Sequence, residues 1–167
     1  GAHARDIVRA LIRLDRFDVK IFNVRWGHTP MNALNRDDEN DKMIIDRLLP
    51  TPNLPSQPEI HVHIVIPNEF QAFGKYNIGI TAGLETTACP AVWIEGLNRM
   101  NMNIVPSTFV KDVVEKTVFD VQDEKTKQVK GQLKSNKPIE VLFEGSDTDI
   151  YKQTSEFSPL LVEEMKK

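Results

Sequence analysis

The first residues able to do chemistry are Glu85, Thr86 and Thr87. They follow an apolar run, residues 78–82, and a glycine at 83, so they lie just beyond the carboxyl end of an expected strand. Ligands of open α/β sheets bind at that edge. A carboxylate there can hold a hydroxyl or act as a base. The competing reading is that Glu85 and the threonines cap the helix that follows. His61 and His63 stand two apart on a strand and so share a face. A zinc site needs three or four ligands. No third ligand is near these two, and the neighbouring strand residues are apolar, so they read as structural histidines. Ser107 opens a helix after a strand but stands in no G-x-S-x-G arrangement, which favours an N-cap over a hydrolase nucleophile. Cys89 precedes Pro90 with no basic neighbour and reads as unreactive. Trp93 shares a helical phase with Leu97 and Met100, which favours a core position over a stacking platform.

Residues 78–116 supply the elements that position this set. The apolar run 78–82 reads as a buried parallel strand ending in a turn at Gly83. Pro90 starts a helix whose apolar stripe is Val92, Trp93, Ile94, Leu97 and Met100. Residues 102–105 form a second short strand. Pro106 and Ser107 open another helix with Phe109, Val110, Val113 and Val114 as its stripe. Strand–helix–strand–helix with short loops predicts an α/β fold with a mostly parallel sheet and helices on both faces.

The rest of the chain extends this pattern. Ala4, Ile7, Val8, Leu11 and Ile12 predict an amphipathic first helix. Residues 18–24 predict a strand burying Val19, Ile21 and Phe22, followed by a long polar loop over 25–40 that contains Trp26. Residues 41–49 predict a helix with Met43, Ile44, Leu48 and Leu49 inward. Four prolines make 50–58 irregular. Residues 60–66, I-H-V-H-I-V-I, give the strongest strand signal. Residues 118–133 alternate with period two around a turn at 123–126, which predicts an inserted, exposed β-hairpin. Residues 139–143 predict the last strand, and 156–167 have helical character.

Three segments carry a resemblance. They are the helix 1–11 (GAHARDIVRAL), the stretch 78–116 with its Pro-x-x-Trp helix and I-V-P-S before K-D-V-V, and 137–151 (KPIEVLFEGSDTDIY). In that order they resemble the N-terminal, acceptor-side domain of two-domain GT-B nucleotide-sugar glycosyltransferases, of the group 1 or family 4 kind. The resemblance implies a Rossmann-like domain over 1–150 and, over 151–167, the start of a linker to a donor-binding domain. It implies sugar transfer from a nucleotide-sugar to an acceptor hydroxyl in the cleft between the domains. Gly1 and His3 would border the family's glycine-rich loop, where a helix N-terminus favours anions. Glu85, Thr86 and Ser107 would complete the substrate-binding side. Glu144, Gly145, Asp147 and Asp149 would form the handover between domains, with Gly145 and Asp147 as the hinge. The plain reading of that segment is a polar turn with Gly145 at positive φ. Read without the resemblance, the chain is equally a non-catalytic α/β binding or assembly module.

Composition narrows the partners. The 167 residues fit one domain, which buries roughly two thirds of its unfolded surface. A net charge of -3 gives no electrostatic reason to expect nucleic acid. A single cysteine excludes an internal disulfide and predicts a reducing, cytoplasmic setting. No apolar run approaches the ~18 residues of a transmembrane helix. No G-x-G-x-x-G or Walker motif occurs, so the expected ligands are a small-molecule or glycan acceptor, with no bound cofactor or metal. The first helix begins at once, without the strand and glycine-rich turn that precede such a helix in doubly wound folds. That order predicts an exposed strand edge and with it a possible homodimer.

Overall fold

The computed structural model describes residues 1–25, 27–146, 148, 151–153 and 157–166. Its centre is a four-stranded parallel sheet in the order β1-β2-β3-β6. The strands are β1 (Ile60–Ile64), β2 (Tyr76–Ile80), β3 (Met102–Val105) and β6 (Ile139–Val141). Helix α3 (Ala91–Arg99) connects β2 to β3, α4 (Thr108–Lys116) leads from β3 towards β6, and an antiparallel hairpin, β4 (Val118–Gln122) with β5 (Val129–Lys134), is inserted after α4. Helices α1 (Ala2–Arg13) and α2 (Glu39–Ile45) precede the sheet, and α5 (Pro159–Met165) follows it. The expected α/β class, the mostly parallel sheet and the inserted hairpin are all present.

The register decides where the core lies. His63, Gly79, Asn103 and Ile139 are aligned across the sheet, with Val105 two residues on from Asn103. Successive strand residues point to opposite faces, so these side chains share one face. The buried cluster of Phe70, Ile94, Leu97, Met100, Val110 and Val114 packs with Val105 and Ile139 on that face. A strand order that always steps the same way, joined by right-handed crossovers, puts every crossover on one side. On the other face Ile80 is buried, whereas Val62, Ile64, Ile78, Met102 and Ile104 are only half-buried.

Local chemistry sets the element ends. Asp38 caps α2 by accepting the Asn40 and Asp41 N–H groups. Ser107 caps α4 by accepting the Val110 N–H at 3.2 Å. Gly83 has φ +87°, and a Cβ there would meet Val110 Cγ2 at 2.6 Å, so turn and helix packing both require glycine. The hairpin turn is tied by Asp123. Its carboxylate pairs with Lys130 and accepts the Thr126 and Lys125 N–H groups at 2.7 and 2.8 Å. Those partners hold its pKa at about 2.

Several expectations change. Residues 18–24 do not form a strand. Ile21 makes a single parallel bridge with Leu48, and Phe22 is exposed. An alternating pattern becomes a strand only where a neighbour supplies its hydrogen bonds along its length, and here that support ends after one residue. Phe109 and Val92 were expected inside but face solvent. The buried arcs of α3 and α4 are narrower than their apolar stripes because one sheet face contacts each helix. Helix α2 stops at Ile45, four residues short of the expected end.

The closest approach in the core joins α3 to the 3-10 turn Pro67–Glu69 in the β1–β2 connection. A Cβ on Gly96 would lie 1.8 Å from the Pro67 carbonyl oxygen. The obstacle is backbone, so no rotamer change relieves it. Gly96→Ala is expected to cost roughly 3 kcal/mol or more through overpacking, whereas Gly131→Ala, where a Cβ meets nothing within 4 Å, should have little effect. Urea unfolding of the two variants checks the contrast.

Candidate functional site

Four chain segments leave the sheet at the carboxyl ends of its strands, and three carry the expected site residues. Glu85 and Thr86 lie in the loop after β2, Ser107 follows β3, and Glu144 and Gly145 follow β6. The amino end of α1 reaches the same edge, where His3 Nδ1 lies 3.8 Å from Glu144 Oε1. The sequence named Glu144 only as part of a handover turn, and no local signal pairs it with His3.

The competing role for Glu85 fails on geometry. Pro90 is the N-cap of α3, and no side chain caps that helix. Thr86 Oγ1 instead donates to the Ala88 carbonyl at 2.9 Å. Glu85 is exposed and makes no hydrogen bond or ion pair among the described residues. Its carboxylate is therefore open to solvent and to any ligand at this edge. Ser107 is committed differently, because its oxygen accepts the Val110 N–H while its hydroxyl proton stays free to donate. Gly1 is the N-cap of α1 and offers no side-chain cap, leaving N–H groups of the first turn without a side-chain partner. No hydrogen bond or ion pair joins Glu85 or Thr86 to Ser107, Gly1 or His3 among the described residues.

Gly145 corrects one expectation. Positive-φ glycines are Gly27 and Gly83 only, among the described residues, so Gly145 does not supply a left-handed turn. A Cβ at Gly145 would meet nothing within 4 Å. Asp147, the other hinge residue, lies outside the described residues, as does Asp149.

His61 and His63 share the core face of β1, their ring centroids 5.4 Å apart. Phe73 packs edge-on to His61, and His63 Nδ1 accepts the Gln71 N–H at 3.2 Å. Burial lowers the pKa of both rings below 6.5, and each also lies close to the other. Among the described residues no group of three or more His, Cys, Asp or Glu side chains is placed to hold a metal ion. Cys89 is buried, and burial raises its thiol pKa. Trp93 packs against the core cluster.

Two grooves lie away from the strand ends. One, of about 280 Å³, runs between α1 and α2 and is lined by Asp6, Arg9, Arg13, Asn40 and Asp41. Arg9 pairs with Asp41 at 2.5 Å and Arg13 donates to the neutral Asn40 amide oxygen at 2.6 Å. The Asn35 N–H and the Arg9 guanidinium hold the Asp41 carboxyl below its usual range. The other groove lies over residues 68–73 beside Arg99. Sequence reasoning missed Arg99, whose guanidinium donates to the Asn68 and Phe70 carbonyls at 2.8 and 2.9 Å and fixes that loop. A basic residue in a last helical turn is too common to signal such a role. We compared the chain with known proteins and found no matching family model, curated protein or solved structure. Among the described residues no helix is long and apolar enough to cross a membrane.

Two measurements follow from this geometry. The folded state resists protonation of His61 and His63, so stability should fall as pH drops below 6.5, where the unfolded chain takes up those protons first. Between pH 6.5 and about 5, above the carboxylate range, the urea midpoint should decline in the wild type. It should stay flat in the His61→Gln, His63→Gln double variant. Separately, Ser107→Ala should cost about 1 kcal/mol through loss of the cap, while Glu85→Gln should leave thermal unfolding unchanged.

Proposed function

We propose that this chain is the acceptor-side domain of a two-domain, GT-B type nucleotide-sugar glycosyltransferase. In this reading the four parallel strands form the centre of a Rossmann-like domain. The acceptor lies along the carboxyl edge of the strands. Glu85 receives the acceptor hydroxyl as a hydrogen-bond acceptor or base, and the free hydroxyl proton of Ser107 adds a donor. The amino end of α1 faces the developing or bound negative charge of the donor. A second domain holds the nucleotide-sugar, and closing the cleft removes water from the reacting centre.

One observation carries this reading. His3 at the start of α1 meets Glu144 beyond β6 at 3.8 Å. The two sequence segments that most resemble the family's borders, 1–11 and 137–151, thus converge at one sheet edge. The unpaired state of Glu85 at the same edge supports it.

A second reading rests on Leu142, Phe143 and Tyr151, which are exposed at and after the end of the sheet. Exposed apolar side chains in this segment also suit a binding or assembly module whose partner is a protein surface.

Heteronuclear NMR titration with mono- and disaccharide acceptors separates the two. The glycosyltransferase reading expects shifts at Glu85, Ser107 and Glu144, with binding weakened about tenfold in Glu85→Gln. It expects no turnover of nucleotide-sugars by this chain alone. No shift with any sugar, or shifts confined to other surfaces, overturns it.

A further inference from the structure

We propose that the outer edge of β1 pairs with the same edge of a second copy of this chain, antiparallel, about a two-fold axis through Val62. The first observation is the set of backbone groups at that edge. Glu59 accepts the Tyr76 N–H at 2.9 Å, and the Val65 N–H donates to Ile80 at 3.2 Å. In this parallel register the odd-numbered residues bond to β2, so the N–H and C=O groups of Ile60, Val62 and Ile64 face outward. No backbone hydrogen bond reaches them among the described residues. Among the described residues, strand β1 ends the sheet and no further strand is joined to it.

The second observation is that the strand's own sequence carries none of the usual edge protection. Natural edge strands are blunted by lysine, proline, bulges or very short length. Residues 60–64 contain no lysine and no proline, and their register with β2 is unbroken. Ile60 is 47% exposed. The opposite edge, β6, has three residues, and its Ile139 is buried.

The occupant follows from the sequence of the edge itself. I-H-V-H-I reads the same in both directions. Antiparallel pairing about Val62 sets Ile60 against Ile64 of the second copy, His61 against His63, and Val62 against itself. Each side chain meets its own kind, or its mirror position, on the same face. The outward groups of Ile60, Val62 and Ile64 then close about six backbone hydrogen bonds. An edge that is its own complement gives a closed pair, whereas pairing β1 with β6 of another copy would continue without limit. Five residues of strand make an interface at the small end of the known range, so the association is weak, on the order of micromolar to tens of micromolar.

Sedimentation velocity of the full chain, from about 1 to 200 µM to bracket that range, tests the proposal. The wild type should pass from monomer to dimer. Val62→Pro removes only an outward N–H, since Val62 gives none to β2, and proline is accepted at such edge positions. Ile60→Lys adds a charge to the exposed end of the same edge. Each variant should weaken dimerisation at least tenfold while the urea midpoint of the monomer holds. Should Val62→Pro fail to fold, Ile60→Lys alone decides. A wild type that is monomeric throughout, a dimer that survives Ile60→Lys, or growth into larger species overturns the proposal.

Discussion

The contact between Gly96 and the Pro67 carbonyl is the constraint on which the sheet's covered face depends. Two parallel neighbours such as β1 and β2 need a crossover, and here that crossover has no regular α-helix of its own. It is a short turn and loop, held down by α3 from the following connection. Gly96 lets the two backbones touch, and Arg99 one turn later binds the loop carbonyls. With the loop fixed, Phe70 enters the core and is 1% exposed. Phe70 in turn lies against Gly79 on β2, where a Cβ would come within 2.5 Å of its ring. A chain of close approaches therefore runs from α3 through the loop to the central strand. Larger side chains at either glycine would lift the loop and uncover His61 and His63.

Polar groups inside this layer are mostly satisfied, which makes the arrangement specific as well as tight. Asn77 exchanges hydrogen bonds with both backbone groups of Gly74 at 2.8 and 2.9 Å. Asn103 donates to the Leu97 carbonyl at 3.0 Å, although its Oδ1 has no partner among the described residues. Buried amides cost free energy unless bonded. Their bonds are made only when loop, strand and helix are in this one register. The same layer buries Cys89 against Thr117, which keeps the thiol out of solvent chemistry.

Much of this was legible in the sequence. Pro90, the glycine at 83, Ser107 and the short apolar runs marked α3, β2, α4 and β3, because caps and turns are local properties of few residues. The hairpin was legible because Phe119 and Leu133, facing each other across it, alternate with polar neighbours. What local pattern could not supply was partnership. Residues 18–24 alternate well enough, but only Ile21 finds a bonded neighbour. Phe109 and Val92 match helical spacing, yet the covered face of the sheet is too narrow to receive them. His3 and Glu144 are far apart in sequence, and their proximity follows from the fold alone. The glycosyltransferase expectation has a different standing, since it came from resemblance in three segments and not from any residue pattern with its own chemistry.

Glu85 shows how the fold changes the weight of a candidate residue without testing its function. In the sequence, capping and ligand binding competed for the same carboxylate. A capping acid must reach the free N–H groups of the first helical turn. Pro90 begins α3 without side-chain help, and the Glu85–Ala88 bend holds its own bond between Thr86 and Ala88. The structural use of Glu85 is thereby removed. A charged side chain in water at a strand's carboxyl end carries no stability that needs it there. That is the condition under which substitution separates binding from folding, because the change leaves every internal bond in place.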